Sequence, residues 1–335
     1  MDQTAPIQDV KPLAPARWPL VDLARGAALV AMIIYHFSWD LSWYGLTSVD
    51  VPRHPGWAMF AHVIAASFLG LVGVGFALAA RGELDRGRYL RRLIIVGGAA
   101  ALVTAGTLVA MPEAPVLFGI LHCITVASVL IVPFLRWPVL ASIAVAAILL
   151  AAPAFFTSPM FNGAAWTWFG FGDRNIPAVD HVPLAPWAGF VFAGYALARV
   201  VLEGDAFASL RDAIANWRSA SPPARLLVSM GRWSLVIYLA HQLVLMAALY
   251  PFAPSSPPQR ASTDDEAATF VSACEQTCRT SGGDAPSCKN YCGCAMTKLK
   301  PTPYWRAILQ DRVPAEDQSK IIDLTRSCAS TAKTN

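Results

Sequence analysis

Seven apolar stretches run along the chain at about residues 19–39, 57–80, 93–111, 115–135, 138–156, 183–201 and 233–252. Each is long enough, as a helix, to cross the ~30 Å hydrocarbon core of a bilayer. The pattern predicts an all-α fold: a polytopic transmembrane helical bundle of about seven spans. The first stretch carries polar interruptions at Asp22, Arg25, His36 and Asp40. At ~100° per residue these four fall within a ~60° arc of one helix face. Asp22 and Arg25 are three residues apart near one end, and His36 and Asp40 are four apart near the other. The rise between Asp22 and His36 is ~21 Å, most of a membrane. Ionisable groups in hydrocarbon cost at least ~3 kcal/mol each and persist where they pair or do chemistry. This first span therefore reads as a working helix with a polar pair towards each membrane face.

Composition agrees. Hydrophobic residues make up 55% of the 335 and charged residues 14%, with a mean hydropathy of +0.46. Soluble domains carry about 25% charged residues, so the chain is expected in a lipid bilayer. Residues 1–16 form a polar, Pro-rich tail, and no small-residue cleavage site follows the first apolar run. The expectation is a retained helix rather than a removed signal peptide.

The distribution of positive charge sets the orientation. With the N-terminus in the cytoplasm, the inside segments hold Lys11, Arg17, Arg81, Arg86, Arg88, Arg91, Arg92, Arg136, Arg199, Arg211, Arg218 and Arg225. The opposite loops before residue 255 hold Arg53 and Arg174. By the positive-inside rule, seven spans then leave the C-terminus outside. Cysteine usage points the same way. Of seven cysteines, Cys274, Cys278, Cys288, Cys292, Cys294 and Cys328 crowd into the polar tail, which fits an oxidising periplasm and a bacterial inner-membrane location. Cys123 lies alone in an apolar span and reads as a buried small hydrophobe.

These boundaries divide the chain into a cytoplasmic tail (1–16), a membrane body (17–254), a Pro/Ser linker (255–262) and a Cys-rich helical module (263–335). Thr263-Asp-Asp-Glu266 has the form of a capping box for a helix bearing Cys274 and Cys278. Gly282-Gly283 breaks it before a second helix bearing Cys288 and Cys292. Cysteines four apart share a helix face, so an antiparallel hairpin is expected with Cys274–Cys292 and Cys278–Cys288 bridges. That leaves Cys294 for Cys328. Zinc binding by the same cysteines is the rival arrangement. The module reads as a stability or docking appendage, open to a periplasmic partner.

The outer segment 157–182 and its flanks are rich in aromatics: Phe155, Phe156, Phe161, Trp166, Trp168, Phe169 and Phe171. Such residues suit a membrane–water interface, or stacking on sugar rings. All six histidines, His36, His54, His62, His122, His181 and His241, lie in or beside the spans. Structural interhelical hydrogen bonding and function compete for each one, while the set points to a site. Imidazole is the natural base at neutral pH when a carboxylate fixes its tautomer. Asp40 is the expected orienter of His36, and Asp180 neighbours His181. Asp22 with Arg25 reads as a buried ion pair. The Arg81–Arg92 loop sets topology or binds a phosphate-rich ligand from the cytosol. No phosphate-binding glycine loop, zinc-protease motif or nucleophile elbow is present, and nothing suggests nucleic acid.

Several motifs, taken in order, resemble a known family. They are Arg17-Trp-Pro-Leu-Val-Asp22-Leu-Ala-Arg25-Gly26 with Met32 and His36, His54-Pro-Gly-Trp57, Phe68-Leu-Gly-Leu-Val-Gly73 and Phe118-Gly-Ile-Leu-His122-Cys123. Pro183-Leu-Ala-Pro186-Trp187 and Gly231-Arg-Trp-Ser-Leu-Val-Ile-Tyr238-Leu-Ala-His241-Gln242 complete them. Over residues 16–250 the chain resembles bacterial relatives of the lysosomal heparan-alpha-glucosaminide N-acetyltransferase. The resemblance implies acetyl-CoA as donor, supplied from the cytosol, and an amino sugar acetylated across the membrane. It also implies that His54, followed three residues on by Trp57, is the catalytic histidine. Two positions depart from the lysosomal pattern: His36 stands where that branch has Asn, and His62 lies near a replaced Asp.

The expected function is thus an integral-membrane acetyltransferase acting on a periplasmic glycan or glycolipid. His54, His36 and Asp40 are its expected catalytic residues. Trp57, His62, Asp180, His181, Trp187 and His241 are expected around the acceptor, and Asp22, Arg25 and His122 along the donor route. No metal is expected, and homo-oligomers are compatible with the sequence. A proton-coupled transporter or flippase using Asp22, Arg25 and His122 is the main alternative, and a haem or quinone protein a weaker one.

Overall fold

In a computed structural model the described residues are 18–52, 54–82, 84–112, 114–163, 165–173, 178, 180–253, 264–309 and 313–331. The chain divides into two compact units, Met1–Ser255 and Ser256–Asn335. The first holds α1 (Pro19–Trp43), α2 (Pro55–Ala79), α3 (Arg86–Ala110), α4 (Ile120–Leu130), α5 (Val139–Phe155) and α6 (Leu184–Glu203). After them come α7 (Ala208–Asn216), α8 (Pro222–Arg232) and α9 (Ser234–Leu249). Every one of the seven apolar stretches is helical. Five combine span length with sufficient apolarity: α1, α2, α3, α6 and α9 extended by a 3-10 turn to Phe252. The remaining two, α4 and α5, are shorter.

Helix starts follow local chemistry. Proline at the first helical position opens α1, α2 and α8, where its missing N–H would be unsatisfied anyway. Asp85 caps α3 by accepting the Arg88 N–H at 3.0 Å. The fourth apolar stretch was expected from residue 115, yet α4 begins at Ile120. Its N-terminus is held there by Asp180 and His122, described below.

The interior is organised around α6, whose Ala188, Val191, Phe192 and Tyr195 are fully enclosed. It lies against α2 and α5. Glycines let backbones meet: a Cβ at Gly73 would sit 2.0 Å from the Val191 carbonyl oxygen, and one at Gly194 2.1 Å from that of Gly70. Small residues serve this purpose in membranes because lipid supplies no hydrophobic drive to bring helices together.

The stretch between the sixth and seventh spans, read from sequence as a charged inside loop, folds into α7 and α8. Helix α8 packs on α1, with Gly231 against the Asp22 backbone and Gly26 against that of Leu227. Eleven residues are too few to register as a span. Its docking depends on glycines whose partners lie some 200 positions away in the chain.

The second unit contains α10 (Asp264–Thr280), α11 (Ala285–Leu299), α12 (Trp305–Leu309), α13 (Ala315–Thr325) and α14 (Cys328–Thr331). Disulfides join Cys274–Cys292, Cys278–Cys288 and Cys294–Cys328, the expected pairing. These six sulfurs are therefore not zinc thiolates. Cys123 is free and buried, as expected. The linker 255–262 and Thr263 of the anticipated capping box lie outside the described residues.

Candidate functional site

Two polar groups occupy opposite ends of the membrane body. At the end formed by the start of α1 and the close of α2, Asp22 is buried. It pairs with Arg25 Nη1 at 3.0 Å and, more loosely, with Arg232 Nε at 3.7 Å. Arg25 crosses to α2, where its guanidinium lies over Gly75; a Cβ there would sit 2.5 Å from Nη2, so the guanidinium would have to shift. Arg92 of α3 lies within electrostatic reach of Arg25, and Arg81 within reach of Arg211. Arg81 also stacks over Trp18 at 4.5 Å. Arg25 of α1 and Arg232 of α8 thus share one buried carboxylate, with Arg92 of α3 within reach of Arg25. A buried ion pair contributes more to geometry than to net stability. The surplus of planar guanidinium groups suits phosphate.

At the other end, α1 and α9 bring His36, Asp40, His241 and Gln242 together. The rings of His36 and His241 face edge to plane with centroids 4.8 Å apart. Asp40, fully enclosed, accepts a 2.6 Å hydrogen bond from Gln242 Nε2. This differs from the expectation that Asp40 orients His36: four residues along α1 the carboxylate meets α9 instead. Tyr35 lies beside His36 and, at 6.2 Å, beside Trp57 of α2, while Tyr238 flanks His241 at 5.8 Å. His36 Nδ1, Asp40 Oδ2, His241 Nε2 and Gln242 Oε1 are enclosed and have no hydrogen-bond partner among the described residues. Enclosed polar atoms without partners cost ~1–3 kcal/mol each, so four in one interface mark a site for polar matter.

The remaining expected site residues are more dispersed. His54 is exposed and precedes α2, its Nδ1 accepting the Gly56 N–H at 3.2 Å, which leaves the ring proton on Nε2. His62, also exposed, pairs with Trp187 at 5.5 Å between ring centroids. His122 is bound at both nitrogens: Nδ1 accepts the Gly119 N–H and Nε2 meets Thr104 Oγ1, each at 3.2 Å. Asp180 Oδ2 accepts the Ile120 N–H at 3.0 Å. Asp180 and His122 therefore meet at the N-terminus of α4, where a carboxylate is favoured by the helix dipole. Asp180 is thus anchored to α4, whereas sequence suggested only its adjacency to His181. Half-buried His181 has its imidazole shifted below the usual histidine value by burial.

Thr104 escaped the sequence reading, and Arg232, Tyr238 and Gln242 stood there only within a family-like motif, with no site role. Gln242 and Tyr238 flank a histidine already singled out, but neutral side chains in an apolar run carry no distinctive signal. Arg232 required the fold of α8.

Burial pushes the Asp180 carboxyl up to about 6, against the opposing pull of the Ile120 N–H. A carboxyl whose folded value exceeds its unfolded one binds more protons when folded. Stability is therefore expected to fall as pH rises from about 4 to about 6. Asp180→Asn should flatten that slope, as read from melting temperatures in detergent. An unchanged slope counts against this burial.

The sequence profile of a family described as heparan-alpha-glucosaminide N-acetyltransferase, catalytic, matches residues 17–243. No curated protein and no solved structure matches the chain.

Proposed function

This chain belongs to the heparan-alpha-glucosaminide N-acetyltransferase catalytic family, and we propose that it moves acetyl groups from cytosolic acetyl-CoA to an envelope glycan or glycolipid on the far side of the bacterial inner membrane. The N-terminus lies in the cytoplasm and the Cys-rich module in the periplasm, in keeping with the arginine bias and the cysteine bridges. The carrying observation is the pair of polar groups at opposite ends of an apolar bundle. The arginines around Asp22 hold the phosphates of the donor. The histidine group on α1, α9 and the start of α2 serves the acceptor, with a histidine taking its proton. His54, carrying its proton on Nε2, offers a donor to the thioester carbonyl oxygen, where negative charge develops. Trp57, beside Tyr35, walls the same side. The reaction needs donor and acceptor held together more than strong acid or base.

Purified protein should bind acetyl-CoA and release CoA when offered amino sugars or envelope glycans. His54→Ala and His36→Ala should each keep donor binding and lose turnover by about 100-fold or more. Absence of acyl-CoA binding in the wild type, with proton-dependent flux of an envelope precursor in proteoliposomes, would replace this reading by transport.

A further inference from the structure

Hydrogen-bond arithmetic separates the histidines by the state of their nitrogens. A neutral imidazole has one N–H and one lone pair. His54 and His122 each accept a backbone N–H at Nδ1, so their proton resides on Nε2. His241 is arranged the other way. Its Nδ1 lies 2.6 Å from the Tyr238 carbonyl oxygen, which can only accept, so Nδ1 holds the proton and Nε2 holds the lone pair. That Nε2 is enclosed and without a partner, and the centroid of the His36 ring lies 4.8 Å from that of the His241 ring. On the His36 ring, Nδ1 is likewise enclosed and without a partner. A lone pair on His241 Nε2 complements His36 Nδ1 only if the latter is an N–H. With the His241 ring held by the Tyr238 carbonyl, the movement that would join them is a turn of the His36 ring about its broad terminal torsion. His36 Nε2, which is not among the enclosed unpartnered atoms, is then the free base.

We propose that His36 and His241 form a coupled imidazole pair, in which His241 fixes His36 as the Nδ1–H tautomer and His36 Nε2 takes the proton of the acceptor. The proposal rests on the acetyltransferase reading and names the base within it. As the acceptor nitrogen or oxygen bonds to the acetyl carbonyl carbon, its proton passes to His36 Nε2. The carbon–sulfur bond breaks with its electron pair on sulfur, and the imidazolium then protonates the CoA thiolate. His241 is a positioning residue, doing for His36 what a carboxylate does in other base–orienter pairs. Asp40, one helical turn beyond His36 and tied to Gln242, offsets the charge of the imidazolium.

Two measurements test the pair. In the first, acetyl transfer from acetyl-CoA to D-glucosamine is followed in full-length wild type, His241→Gln and His241→Phe. Glutamine keeps an acceptor oxygen near the Nε2 position, and phenylalanine keeps the ring but loses the acceptor. The expected result is kcat within about 10-fold of wild type for His241→Gln and a fall of about 100-fold for His241→Phe, with KM for acetyl-CoA unchanged in both. The reverse order, phenylalanine tolerated and glutamine not, assigns His241 to packing and overturns the proposal. The second is 15N NMR of histidine-labelled protein in nanodiscs, which separates protonated from unprotonated ring nitrogens without any turnover. Nδ1–H on His36 in the wild type, lost in His241→Phe, supports the pair. Nε2–H on His36 in the wild type overturns it. A wild type that transfers no acetyl to amino sugar or glycan, yet shows the expected tautomers, overturns the reaction and the role of His36 as its base, and isolates that failure from the geometry of the pair.

Discussion

Gly194→Leu, and separately Gly73→Val, is expected to leave no folded membrane body. A Cβ at Gly194 would lie 2.1 Å from the Gly70 carbonyl oxygen, and one at Gly73 2.0 Å from that of Val191 and 2.6 Å from the Tyr195 nitrogen. These obstacles are backbone atoms of the facing helix, which no rotamer change moves aside. Relief requires α2 and α6 to part, and α6 carries the enclosed Val191, Phe192 and Tyr195. Overpacking into side chains costs ~1–3 kcal/mol, and separating two backbones exceeds that. With a total stability of roughly 5–15 kcal/mol, either substitution is enough to unfold the bundle. Gly98→Ala and Gly106→Ala on α3 serve as controls, because nothing lies within 4 Å of a Cβ at either site. There the helix propensity of alanine should hold or raise stability by up to ~1 kcal/mol. Size-exclusion profiles and melting curves in detergent read both. A monodisperse Gly194→Leu protein melting at the wild-type temperature would show that the two helices do not approach so closely.

Breaking the second unit's disulfides should have the next largest effect. Its packed interior is small, built on Ala295, Leu299 and Trp305 with Phe270 against the tryptophan ring. Cys288, Cys292 and Cys328 are fully enclosed. A core of this size supplies little beyond the entropy it must overcome, so the bridges carry the margin. Cys278→Ser with Cys288→Ser should cost ~2–5 kcal/mol and leave the module open to protease. In limited proteolysis of the full chain, fragments should then arise within residues 264–331 while the membrane body survives. Reduction of the wild type should give the same fragments, and Cys123→Ser should give none. Equal protease resistance with and without reductant would mean that the helices hold without their bridges.

Much of the fold was legible because its governing terms are local or one-dimensional. A run of apolar residues needs no knowledge of its neighbours to prefer hydrocarbon, so all seven helical stretches could be read from their length and composition. The tail pairing was readable for a similar reason: four-residue spacing puts two sulfurs on one face, and a Gly-Gly break turns the chain. Asp22–Arg25, three apart on one helix, belongs with these.

Partners from distant segments were not legible. Asp40 and His36 share a face, and proximity in sequence suggested that they pair. The tertiary structure gave Asp40 to Gln242 and set His36 against His241, because α9 packs alongside α1. Asp180 likewise turned from its neighbour His181 to an N–H at residue 120. Helix α8 and its Arg232 were hidden in a charged connection, since docking depends on two glycines meeting backbone that no pattern along the chain records. What the sequence alone determined was the set of helices, the stapling of the tail and the inventory of ionisable groups in the membrane. Which of those groups meet was decided by helix packing, because a hydrogen bond depends on distances of a few ångströms, and Asp40 and Gln242 lie 202 residues apart along the chain.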